Sequence, residues 1–279
     1  MVNQPADVPG RPSHHPSMSK QFQLWLQLTR REIAARHKGS YLGVAWLLLT
    51  PLLEFSVYAT IFGVIFGGHY LADHPEPKPT YALGVFLSLT LYRFLAETIT
   101  SAPGIIVCQP NFVKKVVFPL HLLPLSTVGN IAYRMGVSLS LFFAGFLVFG
   151  PGLDPHNLWI PVVLLPLVLL AVGLAWLLAA LGVFLRDISQ ITGVGTLILL
   201  YCSAVFYSTA MVETKSPLAW SILRFNPLLH IMENARRVML WQTAPGFLSL
   251  AYAWGAGLAA CVAGHLVFKR LRPAFADVI

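Results

Sequence analysis

The stretch LWIPVVLLPLVLLAVGLAWLLAALGVFL, residues 158–185, decides the fold class of this protein. It carries no charged side chain and exceeds the ~20 apolar residues that an α-helix needs to cross the hydrocarbon layer of a bilayer. The whole chain of 279 residues has the same character, since 56% of its residues are hydrophobic and 11% are charged. In soluble domains about a quarter are charged. The composition therefore predicts a membrane protein and excludes a soluble enzyme.

Outward from this stretch, five further apolar runs are long enough to cross a bilayer, which gives six predicted spans. They lie at about 43–66, 80–99, 122–149, 158–185, 188–207 and 247–268. An even number of spans places both termini on one side, and that side carries twelve Lys and Arg residues against five on the other. Because positive charge is enriched on the cytosolic side, both termini are predicted to be cytosolic. The expected fold class is an all-α membrane protein.

Before the first span, the sequence predicts a tail and a helix that do not cross the membrane. Residues 1–19 hold four prolines and no apolar run, which is typical of a disordered cytosolic tail. The segment Lys20–Lys38 places Phe22 and Trp25 on one helical face and charged residues on the other, as in a helix that lies in the membrane interface. A helix packed on a soluble partner is the alternative. Residues 20–279 are predicted to form one transmembrane domain.

Between the second and third spans, APGIIVCQPNFVKKVVFPLHLLP, residues 102–124, predicts a short rigid cytosolic helix. Pro110 suits the first turn of a helix and Pro119 ends it, so about eight residues are helical, too few to cross a membrane. The side chains suited to pressing into another protein are Asn111, Phe112, Lys114, Lys115 and Phe118. An ordinary loop with the positive charge of the cytosolic side explains the composition equally well.

Before the last span, residues 217–225 and 227–241 predict two short helices on the outer side, separated at Asn226 and Pro227. A residue before proline disfavours continuous helix, and at 1.5 Å per residue the longer helix reaches only about 22 Å. A pair of helices that enters the outer leaflet and returns fits this pattern, because backbone at that depth must be buried or must line a wet cavity. The interpretation is a gate, and an amphipathic external loop is the alternative.

Four charged residues lie within the predicted spans, where isolated charge is costly. Arg93 and Glu97 are four residues apart and can pair along one helix. We expect Glu54 to pair with Arg134 across the bundle. All four are interpreted as structural pairs rather than as a proton relay.

Aromatic residues are dense in spans one and five. Their ordinary role is packing against lipid and at the membrane interface. The alternative is that some line a passage for sugars, because sugar C–H faces stack weakly on aromatic rings and conduction requires weak contacts at several sites. The candidates are Trp46, Phe55, Tyr58 and Phe62 in span one, and Tyr201, Phe206 and Tyr207 in span five.

Catalytic motifs are missing from the sequence. No lysine directly follows a glycine, so the phosphate-binding loop G-x-x-x-x-G-K-[ST] is absent and the chain is not expected to hydrolyse ATP alone. The patterns H-E-x-x-H and G-x-S-x-G are absent as well. The net charge of +8 includes no basic run longer than two residues, which gives no sign of nucleic-acid binding. We expect neither enzyme activity nor a cofactor or metal in this chain.

The order of several segments resembles the permeases of ABC-2 polysaccharide exporters. The similarity runs from about Leu24 to the C-terminus, and no family pattern matches the proline- and histidine-rich tail. The segments are LWLQLTRREIAARHKGSYLGVAWLLLTPLLE from Leu24, FVKKVVFPLHLLPL from Phe112, FLRDI from Phe184 and NPLLHIMENARRVML from Asn226.

The resemblance implies a homodimer that works with two copies of an ATP-binding cassette ATPase, which hold ATP and Mg. Such a complex exports a lipid-linked polysaccharide of the O-antigen type from cytosol to periplasm across the bacterial inner membrane. The segment Asn111–Pro119 matches the coupling helix that sits in a groove of the ATPase. Residues 217–241 match paired gate helices, and spans one and five line the passage at the dimer interface.

The resemblance and the residues together predict where the substrate makes contact. Its phosphate is expected near Arg30, Arg31 or Arg36 at the inner interface, and Arg236 and Arg237 are candidates to receive the anionic group outside. A capsule or teichoic-acid exporter of the same build is the alternative cargo class. A membrane transferase acting on lipid-linked sugars is a further alternative, although it calls for a carboxylate or histidine cluster that the sequence lacks.

Overall fold

The computed structural model describes residues 18–36, 43–70, 77–113, 118–185 and 187–278, and every regular element in these ranges is a helix. Most of the predicted tail lies outside them. The α-helices are α1 Met18–Arg36, α2 Trp46–Tyr58, α3 Lys78–Ser101, α4 Gly104–Val107, α5 Pro110–Val113, α6 Leu122–Phe149, α7 Ile160–Phe184, α8 Ile188–Cys202, α9 Thr209–Lys215, α10 Pro217–Leu223, α11 Pro227–Met239, α12 Phe247–Leu271 and α13 Phe275–Val278.

Five helical stretches of the described chain are long and apolar enough to cross a membrane. They are 46–65, 78–101, 122–149, 155–184 and 247–278. The fifth predicted span, 188–207, corresponds to the shorter apolar helix α8, which has 15 residues and therefore rises only about 22 Å. The predicted six-span layout is thus reduced to five full-length candidates and one short helix.

The largest contact between two helices is that of α7 with α12, and glycines make this contact possible. A Cβ atom at Gly264 would collide with the carbonyl of Gly173, and a Cβ atom at Gly173 would collide with the backbone of Ala260. Gly257 likewise faces the carbonyl of Pro166. Small residues let two helix backbones approach closely. Inside a membrane the hydrophobic effect does not drive helices together, so this close packing is a main source of their association.

Helix α3 is the centre of the bundle. It packs on α6, α7, α8 and α11, and most of its side chains between Tyr81 and Leu95 are buried. Helix α11 packs in turn on α12 and α7. We call α3, α7, α11 and α12 the fixed part of the molecule, because α7 and α11 each pack on the three other helices of this set.

Helix α2 differs from the fixed part. It continues through Ala59–Ile65 as a wider π-helical segment, and neither stretch contains a buried residue. Its exposed apolar side chains include Leu48, Leu52 and Leu53. Segments of π-helix are rare and occur frequently at functional sites. Span one therefore lies against the bundle rather than within it.

Candidate functional site

Aromatic rings connect span one to the segment that follows α8. The rings of Phe62 and Phe206 stack with their centroids 4.1 Å apart and their planes within 8°. Tyr58 lies 5.0 Å from Phe206, and Phe66 lies 5.8 Å from Phe62. The sequence had suggested Tyr58, Phe62 and Phe206 as passage aromatics, and the fold brings these three together.

The other suggested aromatics are more dispersed. Phe55 packs edge-on against Phe86 of α3, with centroids 5.1 Å apart. Tyr201 is exposed, and its carbonyl accepts a hydrogen bond from the hydroxyl of Tyr207. Trp46 stands at the other end of span one and is 45% exposed. Spans one and five are therefore joined by rings at one level of the bundle only.

Helix α8 ends early at Cys202, and side chains from three other segments bind the backbone carbonyls at its end and in the non-helical residues that follow. Tyr70 donates to the carbonyl of Val205. The carbonyls of Cys202, Ala204 and Phe206 accept hydrogen bonds from Asn226 at 3.0 Å, Arg236 at 2.8 Å and Tyr81 at 2.9 Å. Because non-helical backbone at membrane depth needs such partners, these contacts explain how a short fifth helix is tolerated.

Arg236 is fully buried within the bundle. Its guanidinium pairs with Glu233 at 2.8 Å, donates to Ser88 Oγ at 3.2 Å and lies 4.2 Å from the centre of the Tyr70 ring. Its positive charge is thus neutralised inside the protein by Glu233. Of the two arginines that the sequence suggested for the outer gate, Arg237 alone presents its side chain outward, with 44% of it exposed.

Asn226 and Pro227 begin helix α11, as the sequence suggested for the gate. The Asn226 side chain accepts a hydrogen bond from the backbone N–H of Leu228 and donates to Ser203 Oγ at 2.9 Å. Pro227 occupies the first turn, where its missing N–H costs nothing. One residue therefore caps α11 and ties it to the end of α8.

The charges within the spans form one chain rather than two separate pairs. Arg93 pairs with Glu54 and lies 3.5 Å from Glu97, and Arg134 pairs with Glu97. The expected pair of Glu54 with Arg134 is wrong, because Arg93 lies between them and its forked guanidinium engages both carboxylates. The chain links α2, α3 and α6.

At the opposite end of the bundle from α11, helix α1 is docked on the start of α6. The indole N–H of Trp25 donates to the carbonyl of Leu125 at 3.0 Å, and Ser126 Oγ donates to the Glu32 carboxylate at 2.7 Å. Burial raises the pKa of Glu32, and the hydrogen bonds from Ser126 and Thr127 oppose that rise. We call this end the α1 end and the other the α11 end.

The predicted coupling segment lies beside α1. The structure describes a helix over Pro110–Val113, the first half of the predicted segment, and Lys114 and Lys115 fall outside the described residues. Arg31 lies 5.8 Å from the centre of the Phe112 ring, which packs 4.5 Å from the ring of Phe118. The segment thus contacts α1 directly.

The remaining side chains assigned to this end are exposed or undescribed. Asn111 and Arg30 are exposed, and Arg36 ends α1 with a side chain outside the described set. Arg272, at the end of α12, donates to the carbonyl of Phe118 at 3.4 Å. The segment from Pro110 to Phe118 therefore contacts both the first helix and the end of the last span.

Comparison with known proteins agrees with this architecture. The family described as ABC-2 type transporter matches residues 23–240 of the chain. Two proteins of Klebsiella pneumoniae named O-antigen export system permease protein RfbA are each 24% identical over 262 residues, which is 92% of this chain and 95% of theirs. A protein of the same name from Myxococcus xanthus is 24% identical over 256 residues. The helical bundle, its membrane-spanning stretches and this match together show that the chain belongs to the ABC-2 type transporter family.

Proposed function

We propose that this chain is the permease of an ATP-driven exporter that moves a lipid-linked polysaccharide of the O-antigen type from cytosol to periplasm across the inner membrane. The observation that carries the proposal is the match, over nearly the full length of both chains, to proteins named O-antigen export permeases. Two permease copies and two copies of an ATP-binding cassette ATPase make the complex. ATP and Mg belong to the ATPase, and both termini of this chain are cytosolic.

The segment with Asn111, Phe112, Lys114, Lys115 and Phe118 is proposed to receive the motion of the ATPase. Its contacts support this role, since Phe112 lies against Arg31 of α1 and the carbonyl of Phe118 is held by Arg272. A displacement of the segment is therefore transmitted to both the first helix and the end of the last span. Charge reversal of both lysines is expected to lower ATPase coupling and export.

The substrate is proposed to enter at the α1 end and to leave at the α11 end. Arg30, Arg31 and Arg36 attract its phosphate at the inner interface, because the basic end of an interfacial helix favours anionic groups. Spans one and five then separate, and the aromatic residues of both contact the glycan weakly. Those residues are Trp46, Phe55, Tyr58, Phe62, Tyr201, Phe206 and Tyr207.

The outer gate is proposed to consist of α10 and α11 with their break at Asn226 and Pro227. Arg236 acts in it by holding the backbone after α8 at Ala204. Arg237 is the exposed cation that can meet the anionic group as it leaves. This division of roles follows from the burial of one arginine and the exposure of its neighbour.

Reconstitution tests the proposal. The permease and its cognate ATPase are placed in proteoliposomes with a lipid-linked O-antigen-type glycan, and glycan reaching the opposite leaflet is measured with and without ATP. ATP-dependent movement that needs both subunits is expected. A capsule or teichoic-acid polymer moved in preference would correct the cargo class, and turnover of substrate by the permease alone would contradict the proposal.

A further inference from the structure

A cavity of about 290 Å³, lined by polar and apolar side chains together, lies between span one and the bundle. Three helices line it with residues spaced one helical turn apart, so each helix presents a single stripe. Thr50 comes from α2, Arg93 and Glu97 from α3, and Arg134 and Ser138 from α6. Glu54 adjoins it through its ion pair with Arg93. We call this cavity the slot.

The slot lies behind the less packed part of span one. Toward the α11 end, span one is held by the stacked rings of Tyr58, Phe62 and Phe206. Toward the α1 end Arg93 and Arg134 line the slot, and span one reaches Arg93 through the ion pair of Glu54. Polar groups within a membrane must be satisfied by protein, water or ligand, so an occupant of the slot has to be polar.

The charges of the slot select the kind of occupant. The two arginines of its wall pair with Glu97 of the wall and with the adjoining Glu54, so the four charges neutralise one another and leave no net charge to attract a phosphate. Carboxylates accept hydrogen bonds and guanidinium groups donate them, so a neutral group rich in hydroxyls can use both. Thr50, Thr90 and Ser138 add hydroxyls that both donate and accept.

Apolar side chains make up the rest of the lining, and two of them are aromatic rings. Trp46 forms part of the wall near the α1 end, and Phe94 forms part of it from α3. An indole that stays partly exposed offers a face for the C–H groups of a sugar ring. The volume is at the lower bound of ligand pockets, which span about 300–1,000 Å³, so the slot suits one sugar residue rather than a polymer.

We propose that the slot is a saccharide subsite that holds one sugar residue of the exported glycan beside span one. This inference rests on the proposed function and adds a site within a single permease chain, separate from the aromatic side chains at the α11 end. An occupied slot fills the space behind span one and competes with the approach of α2 to α3 and α6.

A thiol-protection experiment tests the binding directly. Ser138→Cys places a thiol in the slot, and the exposed native Cys108 serves as the internal control. The rate of modification by a small methanethiosulfonate reagent is measured in the assembled complex with glucose, galactose, mannose, rhamnose or N-acetylglucosamine, and with sodium phosphate. We expect at least one sugar to slow modification at position 138 severalfold, with no effect of phosphate there and no effect of sugar at Cys108. Equal rates with and without every sugar would mean that the slot holds water only, and protection by phosphate alone would contradict the charge argument.

A second pair of variants tests the role of the slot in transport. Ser138→Phe fills the space, and Ser140→Phe puts the same ring on the exposed face of the same helix. The first is expected to lower glycan export about tenfold relative to the second, equivalent to about 1.4 kcal/mol, with assembly of both complexes checked by co-purification of the ATPase. If the wild type moves no glycan, the proposed function fails. If both variants export like the wild type, the saccharide subsite alone fails, and if Ser138→Phe does not assemble, the thiol experiment decides.

Discussion

The pair α7–α12 and span one are both long apolar helical structures, yet they are held in opposite ways. Between α7 and α12, Gly173 and Gly264 let the two backbones touch. Span one has no buried residue along 46–65 and is attached by a row of rings and by the ion pair of Glu54 with Arg93. Backbone contact tolerates no added atom, whereas side-chain contacts can break and re-form. The difference indicates which helices form the scaffold and which one can move.

The largest effect is expected at Arg236, which ties the end of α8 to the fixed part. Arg236→Met removes the 2.8 Å ion pair to Glu233, which keeps the longer contact of 3.9 Å to Arg237, and leaves the buried carbonyl of Ala204 without this donor. Removing one member of a buried pair costs about 3–5 kcal/mol, so the purified protein should unfold at a clearly lower temperature. Arg237→Met is the matched control, since its side chain is exposed. Equal melting temperatures for the two variants would contradict the buried role.

The second largest effect is expected at the close contact between α7 and α12. Gly264→Ala inserts a methyl group into the carbonyl of Gly173 and forces α7 and α12 apart, at a cost of about 1–3 kcal/mol. Gly255→Ala is the control, because no atom lies within 4 Å of a Cβ placed there in the same helix. Thermal unfolding in detergent should separate the two variants. Because alanine favours helix more than glycine does, the control should be at least as stable as the wild type, and a control as destabilised as Gly264→Ala would contradict the contact explanation.

A smaller change in stability is expected at span one. Glu54→Gln removes the ion pair to Arg93, while Arg93 keeps Glu97. Because Arg93 keeps Glu97 as a partner, the free energy of unfolding should fall by less than for the two variants above. Amide hydrogen exchange should rise within 46–58 and stay unchanged in α7 and α12. A loss of export with normal assembly and normal ATPase coupling would instead point to a direct role of Glu54 in transport.

The smallest effect is expected at the α1 end and depends on pH. Because burial raises the pKa of Glu32, the folded state binds its proton more tightly than the unfolded state does. The docking of α1 on α6 is therefore strongest below the ordinary pKa of a glutamate and weakens as pH rises through the raised value. Hydrogen exchange of α1 followed against pH should show this slope, and Glu32→Gln should abolish it. A slope of the opposite sign would mean that the hydrogen bonds outweigh burial.

Local sequence patterns predicted the parts of the fold that depend on local chemistry. The third span, 122–149, has the bounds of α6, and the break at Asn226 separates α10 from α11 as expected. These features follow from apolar runs and from proline, which act within a few residues.

Features that depend on distant partners could not be predicted. The early end of α8 relies on Tyr70 and Tyr81, which lie more than a hundred residues away and carry no pattern that points to Val205 or Phe206. Helical spacing shows that the adjacent Arg236 and Arg237 face different directions. The sequence does not show which of the two is buried. The predicted partner of Glu54 was wrong because the actual partner, Arg93, depends on the packing of α2 beside α3, which the sequence does not show.

The central claim is that ATP moves spans one and five apart on a scaffold that stays still. The most direct test is a pair of spin-label distances in one labelled protomer of the complex with its ATPase, measured without nucleotide and with ATP trapped. Labels at Leu53 of α2 and Val194 of α8 report the moving pair, and labels at Leu165 of α7 and Leu258 of α12 report the scaffold, since all four side chains are exposed. The account predicts that the first distance grows and the second stays constant. Equal changes in both, or no change in the first, would contradict it.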